Sequence, residues 1–355
     1  MDINFWKGKR VLITGHTGFK GSWLCLWLKS LGAEISGYAL SPNLTHNLFD
    51  AAQIRNDITH HVGNLADPKF LQDCINQQRP QIVFHLAAQA IVRESYESPK
   101  QTYETNVMGT LNLLEACRNC KSIKAMVIVS TDKCYENKEW HWGYRESDEL
   151  GGHDPYSSSK ACMEILISSY RRSYFSGDFD AQKKLAIATA RAGNVIGGGD
   201  WAKDRLVPDI LDAIKKKSSI SLRYPYSIRP WQHVLEPLSG YINLAEKLYS
   251  DGTEYAKAWN FGPEDESAKT VRWITDFVIK NYPSDIKIIE DERDSPHEAK
   301  YLKLDCSQSK NSLNWRAKWD LESALLKVIE WSKSTQQDEH PRAVCLRQIA
   351  AYESS

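Results

Sequence analysis

The stretch RVLITGHTGFKG, residues 10–21, decides the fold. Its first five residues are mostly apolar and β-branched, which predicts a buried strand, and Gly15, Gly18 and Gly21 follow. Glycine lets a chain turn tightly after a strand, and the free N–H groups of a helix that starts there attract phosphate. We therefore predict a dinucleotide-binding turn, although its G-x-x-G-x-x-G spacing differs from the usual G-x-G-x-x-G fingerprint.

Outward from this stretch, short apolar runs alternate with longer amphipathic segments as far as residue 190. The alternation is typical of β-α-β units, whose parallel strands are covered by helices on both faces. We predict an α/β fold, with a Rossmann-type doubly wound parallel sheet in residues 1–190 and a smaller, mixed α/β C-terminal substrate lobe in residues 191–355. Segments near 231–235 and 258–261 could return to the main sheet, and we expect the polar residues beyond 336 to fray.

The composition excludes several classes of partner. The 355 residues carry a formal net charge of zero, which lacks the basic excess of a nucleic-acid-binding protein. No apolar run reaches the roughly 18 residues of a membrane span, and the first ten residues lack the apolar stretch of a signal peptide. The eight cysteines are dispersed, and the pair Cys117 and Cys120 has no second ligand pair nearby. We expect a cytoplasmic protein with reduced thiols and no metal site.

Two polar stretches follow predicted strands or open predicted helices. In Tyr156-Ser-Ser-Ser-Lys160 the tyrosine and lysine are four residues apart and share one helix face. The ammonium of Lys160 is expected to lower the pKa of Tyr156 from its usual value of about 10, which would make the phenol usable as a base. Such a pair alone is also compatible with a solvated helix face.

The second stretch, STDKCYE at residues 130–136, follows the apolar run AMVIV. In α/β sheets, ligands bind where parallel strands end, so Thr131, Asp132 and Lys133 are candidates for chemistry. The simpler alternative is a surface salt bridge between Asp132 and Lys133.

Taken in order, TGHTGFKGSW, HLAAQ, NVMGT, STDKCYE, PYSSSK, RAGNVIGGGDW, RPWQHVLEP and NFGP span nearly the whole chain. The pattern resembles the extended short-chain dehydrogenase/reductase family. Within that family it is most similar to the nucleotide-sugar 4,6-dehydratases that use cytidine. The resemblance implies NAD as a transient hydride carrier, a CDP-sugar substrate, and a role in making deoxysugars for surface polysaccharide.

The resemblance also implies roles for five residues. Tyr156, assisted by Thr131 and Lys160, would remove the proton of the sugar 4-hydroxyl, and Asp132 would act as the acid toward the C6 hydroxyl if burial raises its pKa. Thymidine-linked relatives carry Thr-Asp-Glu at this turn, with the glutamate as base at C5. Here Lys133 replaces that glutamate, so a neutral Lys133 is the candidate base. Alternatively, a charged Lys133 pairs with Asp132 and stabilises an enolate, while Tyr156 acts at C5.

The implied cofactor residues surround the predicted strand ends, and they are Gly15, His16, Thr17, Gly18, Phe19, Gly21, Asn64, Leu65, Leu86, Ala87, Ala88, Gln89, Asn106, Tyr156 and Lys160. Two departures from the family pattern predict loose NAD binding. The second strand ends without the acidic residue that normally holds the adenosine ribose, and Asn64 stands where relatives often carry aspartate. His16 also occupies a loop position usually filled by a smaller residue.

A CDP-sugar brings a diphosphate, for which cationic side chains are suitable partners. The substrate candidates are Asn194, Arg205, Arg229, His233, Arg293 and His297. Relatives commonly pair through two long helices, which predicts a homodimer or a higher homo-oligomer that forms through residues 99–118 and 156–172. A 4-epimerase, a dehydratase for another nucleotide sugar, or a non-enzymatic dinucleotide-binding protein are the alternative functions; an epimerase needs no acid to expel a C6 hydroxyl.

Overall fold

The computed structural model describes residues 2–42, 45–175, 185–282, 286–290 and 301–355. The strands in these ranges are β1 Arg10–Thr14, β2 Glu34–Ala39, β3 Thr59–Val62, β4 Ile82–His85, β5 Ala125–Val129, β6 Ala186–Ala192, β7 Asn194–Ile196, β8 Ile220–Leu222, β9 Ile228–His233, β10 Ala258–Phe261, β11 Ala268–Thr270 and β12 Ile288–Glu290.

The α-helices in the same ranges are α1 Ile3–Trp6, α2 Phe19–Ser30, α3 Leu48–Ala51, α4 Pro68–Gln78, α5 Val92–Glu97, α6 Pro99–Tyr103, α7 Gly109–Arg118, α8 Pro155–Tyr170, α9 Leu206–Lys216, α10 Leu235–Asp251, α11 Val271–Asn281, α12 Ser307–Ser312, α13 Leu321–Gln336 and α14 Pro341–Ser354. A π-helical turn, Glu104–Met108, joins α6 to α7 without a break in the helical path, and a short 3-10 turn, Asp132–Cys134, follows β5.

The central sheet has seven parallel strands in the order β10-β6-β5-β4-β1-β2-β3. β5 and β6 are buried at every residue, as strands covered on both faces must be. The predicted Rossmann-type fold is confirmed. The order reverses between β1 and β4, and sheets of this type bind ligands in the crevice at such a reversal.

The C-terminal half contributes to both parts of the molecule. β10 pairs with β6 in the central sheet, whereas β9 pairs with β7 and β11 in a separate three-stranded sheet. The small sheet packs with α9, α11 and α13 around a core that includes Ile210, Ile274 and Leu325. The division of the chain near residue 190 stays a prediction, with β10 as one return to the main sheet.

The expectation that the chain frays beyond residue 336 is wrong. α14 packs against α2, and Tyr352 is fully buried, with its hydroxyl donating to Glu236 Oε2 at 2.6 Å. The same carboxylate accepts the N–H groups of Lys318 and Trp319 at 3.0 and 2.8 Å. The segment is polar overall, but its larger apolar side chains Val344 and Ile349 are buried, and these contacts order the helix.

Of the helices in the described part of the chain, none has both the length and the apolar character that crossing a membrane requires.

Candidate active site

The candidate site lies where β1, β4 and β5 end. These neighbouring parallel strands are followed by the glycine turn at residues 15–18, the loop at 86–91 and the 3-10 turn Asp132–Cys134. Helix α8, which carries Tyr156 and Lys160, packs against this 3-10 turn. The two polar stretches that the sequence separates are therefore brought together at the strand ends.

The glycine turn approaches the loop after β4 so closely that side chains are excluded. Gly15 has a φ of +73°, and a Cβ there would lie 2.6 Å from the backbone nitrogen of Ala87. A Cβ on Gly21 would collide with the carbonyl oxygen of Gly15. α2 starts directly after Gly18, and no side chain caps its first turn. The turn therefore offers uncapped N–H groups without a Cβ in the way, which fits a diphosphate.

A directed chain of hydrogen bonds fixes the loop after β4. The Thr110 hydroxyl donates to the Asn106 carbonyl at 2.7 Å, so at its 3.0 Å contact with His85 Nε2 the imidazole must be the donor. His85 Nδ1 is then the acceptor for the Thr14 hydroxyl at 2.6 Å. Burial lowers the pKa of His85 to about 3, in keeping with this neutral form. His85 thus orders the strand end and takes no proton.

Asn106 connects this loop to α8. Its amide nitrogen donates to Gln89 O at 3.0 Å and to Ser159 Oγ at 2.9 Å, while its amide oxygen accepts the Gln89 N–H at 2.9 Å. Ser159 in turn donates to the Tyr156 carbonyl at 2.7 Å. Asn106 is therefore assigned as a positioning residue for loop 86–91, where the predicted cofactor residues Leu86, Ala87, Ala88 and Gln89 lie.

The end of β2 is filled by imidazole rings where a carboxylate is usual in the family pattern. His16 is fully buried and its Nε2 lies 2.6 Å from His60 Nδ1. Its ring is so close to β2 that a Cβ on Gly37 would overlap it. Burial and the neighbouring His60 lower the pKa of His16 to about 3. This edge of the site is neutral, and Thr17 closes it by donating to Leu40 O at 3.1 Å.

Asn64 and Leu65 follow β3 at the same edge. Asn64 accepts the Ala66 N–H at 2.9 Å through its side chain and the Tyr38 hydroxyl at 2.9 Å through its carbonyl. Leu65 is buried against Gly109, the first residue of α7. Both predicted residues thus line the carboxyl edge of the sheet, and the Asn64 side chain holds its own loop.

Thr131 organises the turn after β5. Its hydroxyl donates to Asp132 Oδ1 at 3.1 Å and accepts the Lys133 N–H at 3.3 Å. Lys133 is half-buried, and among the described residues its ammonium forms no ion pair. The alternative in which Lys133 is ion-paired with Asp132 therefore has no supporting contact.

Asp132 is 4% exposed, and this burial raises the pKa of its carboxyl. The charges of Lys133, Arg229 and Lys20 and the hydrogen bond from Thr131 oppose the shift without reversing it. The direction is the one that the acid role requires. Gly193 permits the close approach of the next strand, because a Cβ there would lie 2.8 Å from Asp132 Oδ2.

The expectation that Lys160 lowers the pKa of Tyr156 is wrong for the chain by itself. Burial raises the pKa of the phenol to about 12, and the opposing contributions come from Thr131 and Arg205. The Lys160 ammonium instead donates to the Val129 carbonyl at 3.2 Å. The sequence spacing correctly placed the two side chains on one face of α8. It could not show that a carbonyl from β5 accepts a hydrogen bond from the Lys160 ammonium. The phenol therefore stays protonated at neutral pH until a ligand alters its surroundings.

Sequence reasoning missed Lys20. This half-buried residue in the first turn of α2 lies near Arg205, Lys160, Asp132 and Asp200, and burial together with the two cations lowers its pKa to about 8. A lysine within the otherwise apolar start of a glycine-turn helix was the available signal. The site thus gathers several cations around Asp132, which suits an anionic ligand.

Two of the predicted substrate arginines lie on the C-terminal side of the cleft. Arg205 forms an ion pair with Asp200 at 2.9 Å and is one third exposed. Arg229, on β9, is 6% exposed. Its positive charge opposes the rise in the pKa of Asp132, so the guanidinium lies near that carboxyl. Asn194 starts β7 opposite Trp231 and is half-buried.

The prediction for His233 is not supported by its position. The ring is fully buried between Trp23 and Trp319, at centroid distances of 5.9 and 5.0 Å, so it is a core residue that no substrate reaches. Burial lowers the pKa of His233 to about 3. Arg293 and His297 lie outside the described residues.

Comparison with known proteins agrees with this geometry. The family of GDP-mannose 4,6 dehydratases matches residues 12–328. The chain belongs to this family. A Salmonella typhimurium relative named CDP-glucose 4,6-dehydratase is 49% identical over 355 residues, which cover 100% of this chain and 99% of the relative. The dTDP-glucose 4,6-dehydratase 1 of Escherichia coli is 24% identical over 353 residues, 91% of this chain and 92% of the relative.

Solved structures agree on the fold. A dTDP-glucose 4,6-dehydratase of Streptomyces venezuelae, solved with NAD bound, has a TM-score of 0.78 at 21% identity and covers 94% of this chain and 99% of that one. A UDP-glucose 4-epimerase of Thermotoga maritima, solved with UDP-glucose, has a TM-score of 0.80 at 21% identity and covers 92% and 99%. Since both reactions occur on this fold, the side chains of the site must distinguish them.

Proposed function

We propose that this protein is an NAD-dependent nucleotide-sugar 4,6-dehydratase that converts CDP-D-glucose into CDP-4-dehydro-6-deoxy-D-glucose and water. The observation that carries the proposal is the buried carboxyl of Asp132, whose raised pKa lets it act as an acid beside Thr131 and Tyr156. An epimerase has no C6 hydroxyl to expel and needs no such acid. The nucleotide is inferred from the relative at 49% identity, whose name specifies CDP-glucose.

The residues present fit NAD. The uncapped first turn of α2 and the turn at Gly15 and Gly18 suit its diphosphate, and loop 86–91 lies against that turn. We propose that Asn64 and Leu65 lie toward the adenine, with Tyr156 and Lys160 toward the nicotinamide end. When bound, NAD accepts a hydride from C4 of the sugar and later returns it to C6.

The remaining chemistry is proton transfer by the chain itself. Tyr156 takes the proton of the sugar 4-hydroxyl, with Thr131 hydrogen-bonded to the phenol. The 4-ketone then makes the C5 proton acidic. Lys133, in its neutral amine form, removes this proton, while the protonated carboxyl of Asp132 gives its proton to the C6 hydroxyl, which leaves as water. Because Lys133 has no ion-pair partner among the described residues, it is better suited to act as the base than to neutralise Asp132.

We propose that Arg205, Arg229 and Asn194 bind the nucleotide diphosphate. All three come after β6 in the chain, in the C-terminal half, and the two arginines supply positive charge. Arg293 and His297 remain candidates for the same role on the basis of the sequence.

Product identification tests the reaction. The protein is incubated with NAD and, separately, with CDP-, dTDP-, GDP- and UDP-glucose, and the products are analysed by mass spectrometry and NMR. A 4-keto-6-deoxy product 18 mass units lighter, formed fastest from CDP-glucose, is expected. A product of unchanged mass with inverted C4 would instead show an epimerase, and no product from any of the four would contradict enzymatic function. In deuterated water, solvent deuterium should appear at C5, while the new C6 hydrogen comes from C4.

We propose further that the protein is a cytoplasmic homodimer serving surface-polysaccharide synthesis. Large apolar side chains are exposed on the helices expected to pair: Met108 is 50% and Ile165 is 58% exposed. A second copy would cover both, and replacing either by glutamate should produce monomers in light-scattering measurements. A wild-type protein that is monomeric at micromolar concentration would contradict this assembly.

A further inference from the structure

A buried ion pair lies behind the catalytic helix. Glu164, on α8, accepts two hydrogen bonds from the Arg191 guanidinium, from Nε at 3.0 Å and from Nη2 at 2.9 Å. Thr189 donates a third to the same carboxylate at 2.7 Å. The two charged side chains are 2% and 4% exposed. The three donor atoms belong to Arg191 and Thr189, which both lie on β6, and together they hold the carboxylate in one position.

The other side of the guanidinium is equally constrained. Arg191 Nη1 donates to the Tyr135 hydroxyl at 2.8 Å and to the Glu146 carbonyl at 3.1 Å. The Tyr135 hydroxyl donates to Asn260 Oδ1 at 2.8 Å. The pair is thereby connected to the segment after β5 and to β10, and neither partner can turn toward solvent.

Lys160 lies one helical turn before Glu164 and is 4% exposed. Its ammonium donates to the Val129 carbonyl, and among the described residues it forms no ion pair. The other titratable groups that face it are the Cys134 thiol from the turn after β5, the His85 imidazole after β4 and the Lys20 ammonium from α2. Of these groups, only the Glu164 carboxylate carries a negative charge at neutral pH, since burial raises the pKa of Cys134.

We propose that Glu164 is a positioning residue for the dehydratase reaction: its carboxylate, fixed by Arg191 and Thr189, keeps the buried Lys160 in its ammonium form. The inference rests on the proposed function, in which Lys160 assists Tyr156. Arg191 supports this role, because its guanidinium lowers the pKa of the Glu164 carboxyl and so keeps it charged.

The pKa of Lys160 agrees with this arrangement. Burial lowers it to about 8, and Glu164 is the largest opposing influence. The ammonium is therefore present below that pKa and is lost as the pH rises through it. Removing the carboxylate charge must lower the pKa further.

Two substitutions test the proposal, one that removes the charge of Glu164 and one that keeps it. Glu164→Gln should shift the alkaline limb of kcat/KM to lower pH by about one unit, whereas Glu164→Asp keeps the carboxylate and should leave the limb near its wild-type position. Thr189→Val removes a neutral donor to the same carboxylate and should leave the limb in place. A purely structural role predicts lower stability in all three variants and an unmoved limb.

A second readout does not depend on turnover. Trace acetylation of Lys160 with acetic anhydride across a pH series, followed by mass spectrometry, reports the pKa of that amine in the intact protein. The same downward shift is expected for Glu164→Gln and not for Glu164→Asp, and an unchanged labelling curve in folded Glu164→Gln would overturn the proposal. If the wild type converts no nucleotide sugar, the proposed function fails while the labelling still decides the role of Glu164. If Glu164→Gln does not fold because Arg191 is left unpaired, the double variant Glu164→Gln/Arg191→Met, which buries no lone charge, decides by both measurements.

Discussion

The ammonium of Lys160 is bound to the carbonyl of Val129 at 3.2 Å, although the phenol of Tyr156 lies one helical turn away. This bond fastens the catalytic helix to the last residue of β5, two residues before Thr131. It also leaves the phenol without a cation in contact, and burial raises its pKa to about 12. The Tyr156 phenol, which is the base of the proposed reaction, is therefore protonated at neutral pH in the protein without ligands.

Tyr156→Phe should abolish turnover while leaving the fold intact. Loss of a positioned general base costs about 10²- to 10⁴-fold in rate, so kcat should fall by at least that much while the melting temperature stays near that of the wild type. Tyr170→Phe is the matched control, because it removes a hydroxyl from the same helix that donates to Glu115 at 2.8 Å outside the site. Full activity of Tyr156→Phe would refute the mechanism.

Asp132→Asn should separate oxidation from elimination. Without the acid, the C6 hydroxyl is not expelled, but the proton transfer at the 4-hydroxyl needs only Tyr156. We expect mass spectrometry to detect a 4-keto sugar that retains its C6 oxygen, and at most about 1% of the wild-type rate of dehydrated product. Normal yields of the 6-deoxy product would show that another group supplies this proton.

The same substitution should stabilise the protein in a pH-dependent way. Because the pKa of Asp132 is raised by burial, the folded protein binds its proton more tightly than the unfolded chain does. The wild type therefore loses stability as the pH rises above the ordinary carboxyl range, by about 1.4 kcal/mol for each unit of the shift. Urea unfolding should show Asp132→Asn equal to the wild type near pH 3 and more stable at pH 7. Asp73→Asn, at an exposed position on α4, should change little at either pH.

Two substitutions at Lys133 distinguish a base from a fixed charge. Arginine keeps the positive charge but cannot act as a base, whereas methionine removes both properties. If Lys133 is the C5 base, both variants should lose incorporation of solvent deuterium at C5 by about 100-fold or more. An arginine variant that still exchanges the C5 hydrogen would assign that step to Tyr156.

NAD binding should be weak and independent of pH between 6 and 7. No carboxylate ends β2, and the His16 ring occupies that edge with its pKa lowered to about 3, so it stays neutral throughout this range. Calorimetric titration should give a dissociation constant no tighter than micromolar at each pH. Sub-micromolar affinity, or a marked change near pH 6.5, would contradict this account of the edge.

The sequence predicted those features that depend on local pattern. The strand at residues 125–129 and the glycine turn follow from short-range chemistry, and the structure has both. Contacts between segments that are far apart in the chain could not be predicted from the sequence. His233 was assigned to the substrate because its motif resembles a binding stretch, whereas two tryptophans more than 80 residues away in the chain enclose it.

The same limit explains why the predicted lowering of the Tyr156 pKa was wrong. Tyr156 and Lys160 were correctly placed on one helix, but the direction of the ammonium depends on a carbonyl of β5. The acid role of Asp132 was conditional on burial, and the side chain is 4% exposed. Glu164 gave no signal, because its partner Arg191 is 27 residues away and only the packing of α8 against β6 brings the two together.

The C-terminal helix α14 packs against α2, the helix that follows the glycine turn of the proposed cofactor site. Trp27 of α2 donates to Glu353 at 2.8 Å and packs edge-on against Tyr352 at 5.6 Å. During synthesis on the ribosome, α2 is made long before residues 341–354, which supply its contacts on that side. The cofactor-site helix therefore reaches its final packing only after α14 has been translated.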